Sequence, residues 1–320
     1  MSSKSFKKWS SQVYPWVKWI FSALSIAFFY LKLKDMDSEV FFTMWSIASS
    51  YKTAICFIIV LAIMNWTLEG VKLKLLLKSV LEIKVIQSFF IVLGGMAISN
   101  FTPARTGEFI GRSLLLKSVH PIKVTLATVA GNIAQMLMTY LIGLLGVLCT
   151  FTFTDYIGGY QQTSKLIYVT MLICGIIIFI WKGKKLVEML SSHVPKQIRK
   201  ALRLVRSFSA KLYKKIVLLS LLRYVVFSLQ FFIILSLFSD WSLSITVGLL
   251  VPIAYLMQTL FPVPAISDIG VRLAVCGMLF GPFMSEVAIL YSVSFLWLLN
   301  LVVPGVIGSF YLLVSAVIRK

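Results

Sequence analysis

The chain has 320 residues, 59% hydrophobic and 13% charged, with a mean hydropathy of +0.93. This excludes an ordinary soluble domain, where about half the residues are apolar, and the solidly apolar runs exclude a β-barrel, whose strands alternate polar and apolar. The formal charge of +20, from 31 Lys and Arg against 11 Asp and Glu, is the excess that faces anionic headgroups from the cytoplasmic side, and it argues for a membrane over nucleic acid as the partner.

The N-terminal MSSKSFKKWSSQVYPWVKWIF is basic, then apolar, without a small-residue cleavage site, and reads as a retained first span over 14–31. Further spans are predicted at 53–69, 122–150, 166–181, 216–238 and 243–261, and the apolar region 283–318 can form two short spans around Asn300, Pro304 and Gly305. Segments 85–119 and 262–281 are apolar but interrupted by Pro, Gly and charge, and read as broken or re-entrant helices. The expected fold is all-α: a polytopic helical membrane protein of about eight transmembrane helices plus two broken segments. It forms one membrane domain, 1–320, whose halves, 1–160 and 161–320, make an internal pseudo-repeat.

Basic residues assign the faces. Lys4, Lys7 and Lys8 precede the first span, Lys72, Lys74, Lys78 and Lys84 follow the second, and Arg319 and Lys320 end the sequence; all are expected in the cytoplasm. Segment 182–215 carries eleven Lys and Arg, among them Lys196, Arg199, Lys200, Arg203 and Arg206, against Glu188 alone. Ile198, Leu202, Val205, Phe208 and Leu212 recur there at helical spacing, the pattern of an amphipathic helix lying on an anionic leaflet. This topology closes only if each interrupted segment returns to the face it entered from. Cys56, Cys149, Cys174 and Cys276 stand singly in apolar stretches and read as packing residues. Asn132, Gln135, Tyr255, Gln258 and Asn300 read as interhelical hydrogen-bonding groups.

In SNFTPARTGEF, residues 99–109, Asn100 is placed to satisfy freed backbone groups, and Thr102-Pro103 reads as an N-cap with proline at the first helical position. A half-helix starting there points its amides, with Arg105 in its first turn, at an anion. Glu108 and Arg112 fall on one face at i,i+4. In the second segment Pro262 and Pro264 break the chain, Ser267 reads as a cap, and Asp268 and Arg272 repeat the i,i+4 pair. Matched broken segments in two halves point to a transporter's binding site. At a membrane surface these charges would snorkel; at a helix centre each costs about 2.5–3.5 kcal/mol, which favours a polar cavity.

Asn100, Pro103, Arg105, Gly107, Glu108 and Arg112 follow N-x-x-P-x-R-x-G-E-x-x-x-R, and in this the chain resembles the lysylphosphatidylglycerol synthase transmembrane (flippase-like) family. Pro262, Pro264, Asp268, Gly270 and Arg272 are similar to that family's proline-rich second element, although Ser267-Asp268-Ile269-Gly270-Val271-Arg272-Leu273 replaces its frequent Gly-Gly-x-Gly-x-x-Glu run. The resemblance covers roughly 15–315 and lacks the soluble aminoacyl-transferring domain. It implies movement of a charged lipid between leaflets rather than aminoacyl transfer. Arg105, Arg112 and Arg272 are then expected to meet headgroup phosphate, and Glu108 and Asp268 to orient those arginines or meet a headgroup amine.

Asn100 and Pro103 complete the expected headgroup site. The implied ligand is an anionic or aminoacylated phospholipid or a polyprenyl-phosphate lipid. A homodimer or a partner synthase is the expected protein partner. The expected location is the bacterial cytoplasmic (inner) membrane, multi-pass, with both termini cytoplasmic. No GxxxxGK[ST] motif is present, so movement is expected to be energy-independent or ion-coupled. His120 and His193 show no metal-ligand spacing, so no metal, cofactor or enzymatic chemistry is expected. The alternative is a non-transporting lipid-binding scaffold that docks a lipid-modifying or glycosyl-transferring enzyme.

Overall fold

The computed structural model describes residues 38–100, 102, 106–153, 208–260 and 265–317, with isolated helical positions at 20, 23 and 27. The remainder of the predicted span 14–31, the span 166–181, Cys174 and the basic segment up to residue 207, with Lys196, Arg199, Lys200, Arg203 and Arg206, lie outside the described residues.

Among the described residues every element is helical. In chain order they are α1 (Ser38–Ser50), α2 (Lys52–Leu77), α3 (Val85–Ser99), α4 (Gly107–Leu115), α5 (Pro121–Phe153) and α6 (Ala210–Phe238). A 3-10 turn, Ile245–Leu249, leads into α7 (Leu250–Thr259), followed by α8 (Ala265–Phe280) and α9 (Glu286–Trp297). A π-helical turn, Leu298–Val302, joins α9 to α10 (Val303–Val317). Four continuous helices are long and apolar enough to cross a membrane: Lys52–Leu77, Pro121–Thr150, Ala210–Phe238 and Glu286–Ser315. Their outward faces stay apolar. On α10, Val303, Ile307, Phe310 and Val314 are all exposed, a stripe at i, i+4, i+7 and i+11 that suits lipid and not water. The chain is a membrane-embedded, multi-pass, all-α protein.

Helices α2 and α6 run antiparallel. Arg223 Nε donates to Asn65 Oδ1 at 2.8 Å, and Gln230 Nε2 donates to the Ile58 carbonyl at 3.2 Å, so a rising number on α6 meets a falling one on α2. Helices α3 and α4 form a hairpin on the C-terminal half of α2, where Leu73, Leu76 and Leu77 pack with Val92, Leu93, Leu114 and Leu115. Gly107 and Gly111 make this hairpin possible. A Cβ on Gly107 would stand 2.5 Å from the Ile98 carbonyl, and one on Gly111 would stand 2.7 Å from the Gly94 carbonyl and 2.8 Å from Gly95 Cα. Such small-xxx-small spacing lets helix backbones touch where burial of apolar surface gives little drive, as in lipid.

Helices α7 and α8 form a second hairpin on the C-terminal half of α6, with Phe231 and Leu235 packed among Val251, Ala254, Cys276 and Phe280. Gly146 of α5 abuts Pro252 and Gly143 abuts Leu256, so α7 descends antiparallel to α5. The order span, hairpin, span therefore occurs twice, as α2, α3–α4, α5 and as α6, α7–α8, α9–α10, with equivalent helices starting 158 to 165 residues apart. Because α2 and α6 are antiparallel, the two units are inverted. Each hairpin returns to the end of the bundle it left, and the two hairpins enter from opposite ends.

The structure corrects several expectations. The stretch 243–261 is not a crossing: ten residues of α7 reach about 15 Å at 1.5 Å per residue and then turn back through α8. The region 283–318 is not two short spans but one helix of 30 residues, Glu286–Ser315, in which the π turn absorbs Asn300 without breaking it. Lys72 does not follow the second span but lies inside α2, 1% exposed. Cys56 is exposed and packs in no core, whereas Cys276 is buried.

Candidate functional site

Among the described residues the most charged interior region lies where α2, α4, α5 and α6 meet. Glu69 of α2 is 3% exposed and sits eight residues, about 12 Å, before the end of its helix. Its Oε1 accepts from Arg112 Nη2 at 3.1 Å, while its Oε2 accepts from Arg223 Nη1 at 2.9 Å and lies 2.8 Å from Lys72 Nζ. Arg112, 1% exposed, also pairs with Glu108 and reaches Thr128 Oγ1 of α5 at 3.4 Å. Asn132 Nδ2 donates to Glu108 Oε2 at 3.2 Å. The Arg223 guanidinium carbon lies 5.4 Å from the centre of the Trp66 ring, an arrangement that holds a cation without adding another anion.

Local structure explains the convergence. Glu108 and Arg112 share a face of α4 one turn apart, and the adjacent Gly107 and Gly111 let α4 press onto α3. Glu69 and Lys72 stand at i,i+3 on α2, and the Lys72 stem passes Gly131 of α5 with Cε 3.2 Å from where that residue's Cβ would be. Removing one member of such a cluster leaves an unpaired buried charge, a loss of about 3–5 kcal/mol. Some polar atoms are nevertheless left over. Arg112 Nε and both amide atoms of Asn100, itself 1% exposed, have no hydrogen-bond partner.

The second pair is simpler. Arg272 Nε donates to Asp268 Oδ2 at 2.8 Å on α8, with the side chains 19% and 17% exposed. No heavy atom lies within 4 Å of a Cβ built on Gly270 or Gly277, so this face of α8 is open. Tyr255 of α7 donates to the Phe227 carbonyl at 3.3 Å.

The structure thus brings Glu108 and Arg112 together and pairs Asp268 with Arg272, but it mounts the two pairs on different hairpins entering from opposite ends. Pro103, Arg105, Pro262 and Pro264 lie outside the described residues. Helix α4 spans Gly107–Leu115, and the Thr102 hydroxyl accepts from the Gly107 amide at 2.6 Å; the expected helix start at Pro103 lies outside the described residues. Asn100 satisfies no freed backbone group through its side chain, contrary to expectation. Helix α8 begins at Ala265, which puts Ser267 inside its first turn rather than at the cap. The interhelical roles of Gln135 (to the Ser220 carbonyl, 3.3 Å) and Asn300 (to Gln230 Oε1, 2.8 Å) hold.

Sequence reasoning missed Glu69 and Arg223 altogether and placed Lys72 outside the span. The signal was present, since Arg223 is an isolated cation within the apolar window 216–238, where a charge is costly and marks a partner or a path. A family model described as Lysylphosphatidylglycerol synthase TM region matches residues 16–308. No curated protein matches the chain.

Proposed function

The chain belongs to the lysylphosphatidylglycerol synthase TM-region family, and from that premise we propose that it moves a charged lipid between leaflets, with the two inverted hairpins acting as re-entrant elements that carry the headgroup. The family ties the chain to lipid handling in a membrane. The observation that carries the finer reading is a set of three cations between spanning helices: Lys72 and Arg112, both buried, and Arg223, 16% exposed. Charges of this kind inside a membrane mark substrate paths.

A headgroup needs a polar route while its acyl chains stay in lipid. The first hairpin offers Arg112 and the unsatisfied Asn100 from one end, and the second offers Arg272 from the other. An apolar cavity of about 100 Å³, lined in part by Leu76, Ile133, Leu137 and Ile216, flanks the cluster, since Leu76 and Lys72 both border Gly131. On this reading the chain performs no covalent chemistry, and movement is energy-independent or ion-coupled.

Charge sorting supports a cytoplasmic location for the end at which α2 finishes and α5 and α6 begin. Lys78, Lys84, Lys117, Lys123, Lys211, Lys214 and Lys215 are exposed there, whereas the other end exposes Lys52 with Asp240 and Glu286. The membrane proposed is the bacterial cytoplasmic one.

The test is reconstitution in liposomes with labelled phosphatidylglycerol or a labelled polyprenyl phosphate, followed by quenching of the outer leaflet. Wild type is expected to expose the inner-leaflet label, and Arg112→Gln and Arg223→Gln to slow this at least tenfold. A wild type that moves neither lipid, or variants as fast as wild type, would overturn the reading. Lipid retained but never moved would favour the scaffold.

A further inference from the structure

The charges of the first site discriminate among headgroups, an inference that rests on the reading that a lipid headgroup enters this site. Three cations face two carboxylates, and every carboxylate oxygen is engaged. Glu69 Oε1 holds Arg112, and its Oε2 holds Lys72 and Arg223. Glu108 Oε1 holds Arg112, and its Oε2 holds Asn132. Among the described residues the other acids with described side chains are Glu82, Asp240 and Glu286, which are exposed, and Asp268, which is bonded to Arg272 on the other hairpin. Both buried carboxylates at the site already serve the three cations, so neither is free as a counterion for a headgroup amine.

The donors are in the opposite condition. Arg112 Nε has no partner, and the three N–H groups of the Lys72 ammonium, 1% exposed, have Glu69 as their ion-pair partner. A buried cluster with one uncompensated positive charge and unmet N–H groups calls for an anionic acceptor, and an ammonium placed there would be desolvated without a counterion.

We infer that this site selects a phosphate-bearing headgroup of net negative charge and rejects aminoacylated and amine-bearing zwitterionic ones. Phosphate supplies the missing charge and several acceptor oxygens, and guanidinium and ammonium groups bind it through charge-assisted hydrogen bonds. The lysyl-modified lipid is then excluded from this site by its added ammonium groups, which would meet Lys72, Arg112 and Arg223.

The experiment is native mass spectrometry of the full chain released from nanodiscs containing equal amounts of phosphatidylglycerol, phosphatidylethanolamine and lysylphosphatidylglycerol, with a parallel arm adding millimolar inorganic phosphate. Phosphatidylglycerol is expected to be retained at least tenfold over both other lipids. Lys72→Met, which removes the excess charge, is expected to abolish that preference, and Lys72→Arg to keep it; gel filtration and melting of each variant exclude misfolding as the cause. Retention of lysylphosphatidylglycerol equal to or above phosphatidylglycerol, or an unchanged preference in a folded Lys72→Met, would overturn the selectivity while leaving lipid handling intact. Binding of inorganic phosphate with no lipid retained would overturn the lipid source and keep the anion preference. Failure to retain any lipid or phosphate would overturn both readings.

Discussion

Glu69 and Asn100 show two opposite ways of burying polarity. Glu69 is compensated several times over, since its two oxygens hold three cations, and it fixes the relative positions of α2, α4 and α6. Asn100 is just as deeply buried with no partner at all. An unpaired buried amide costs about 1–3 kcal/mol, a cost the fold sustains at the tip of the first hairpin, next to the sequence position of Arg105. Asn100→Leu keeps the branched shape and removes the unmet groups. It is expected to raise the thermal midpoint in detergent, by the equivalent of about 1 kcal/mol or more, while slowing lipid movement. A variant that is more stable and equally fast would take Asn100 out of the path. At this scale the sequence was half legible. Glu108 and Arg112 announce each other by i,i+4 spacing, whereas Arg223 reaches Asn65 and Glu69 across 158 and 154 residues. No local pattern encodes that meeting, because it depends on how α2 and α6 pack.

The hairpins are held together differently, and the difference follows from their residues. The first closes through backbone contact at Gly107 and Gly111, and beside it the Arg112 and Leu115 side chains of α4 pack onto Gly95 and Gly94 of α3. A valine at 111 would drive its Cβ into the Gly94 carbonyl and Gly95 Cα, and backbone atoms cannot yield as a flexible side chain can. Gly111→Val is expected to cost about 1–3 kcal/mol and to displace Arg112 from Glu69, so thermal stability and lipid movement should fall together; retention of both would show that α4 does not bear on α3 in the membrane. The second hairpin leaves Gly270 and Gly277 with no neighbour among the described residues, on the side of α8 opposite Asp268 and Arg272. Proline and glycine made both interruptions visible in the sequence. They did not reveal that α7 is the entering arm of a hairpin, because 243–261 is apolar enough to pass for a span, and only its packing along α5 shows where it stops.

For the whole molecule, inversion carries a consequence that neither hairpin has alone. Two units of the same order, related by the antiparallel run of α2 and α6, give each end of the bundle one hairpin, and transporters built on inverted repeats can exchange the roles of their halves to open one side or the other. The turn after the first hairpin, with exposed Ser118, lies at the lysine-rich end, while the turn after the second, with exposed Pro282, lies at the end of Asp240 and Glu286. Had both hairpins entered from one face, these turns would share a compartment. In a background with Cys56, Cys149, Cys174 and Cys276 replaced by serine or alanine, a single cysteine at 118 and another at 282 report this directly. A membrane-impermeant maleimide applied to intact cells is expected to label Pro282→Cys and to spare Ser118→Cys until the membrane is permeabilised. Labelling of both from the same side would dismantle the inverted arrangement, and with it the proposal that one headgroup passes from a site reached through the first hairpin to one reached through the second.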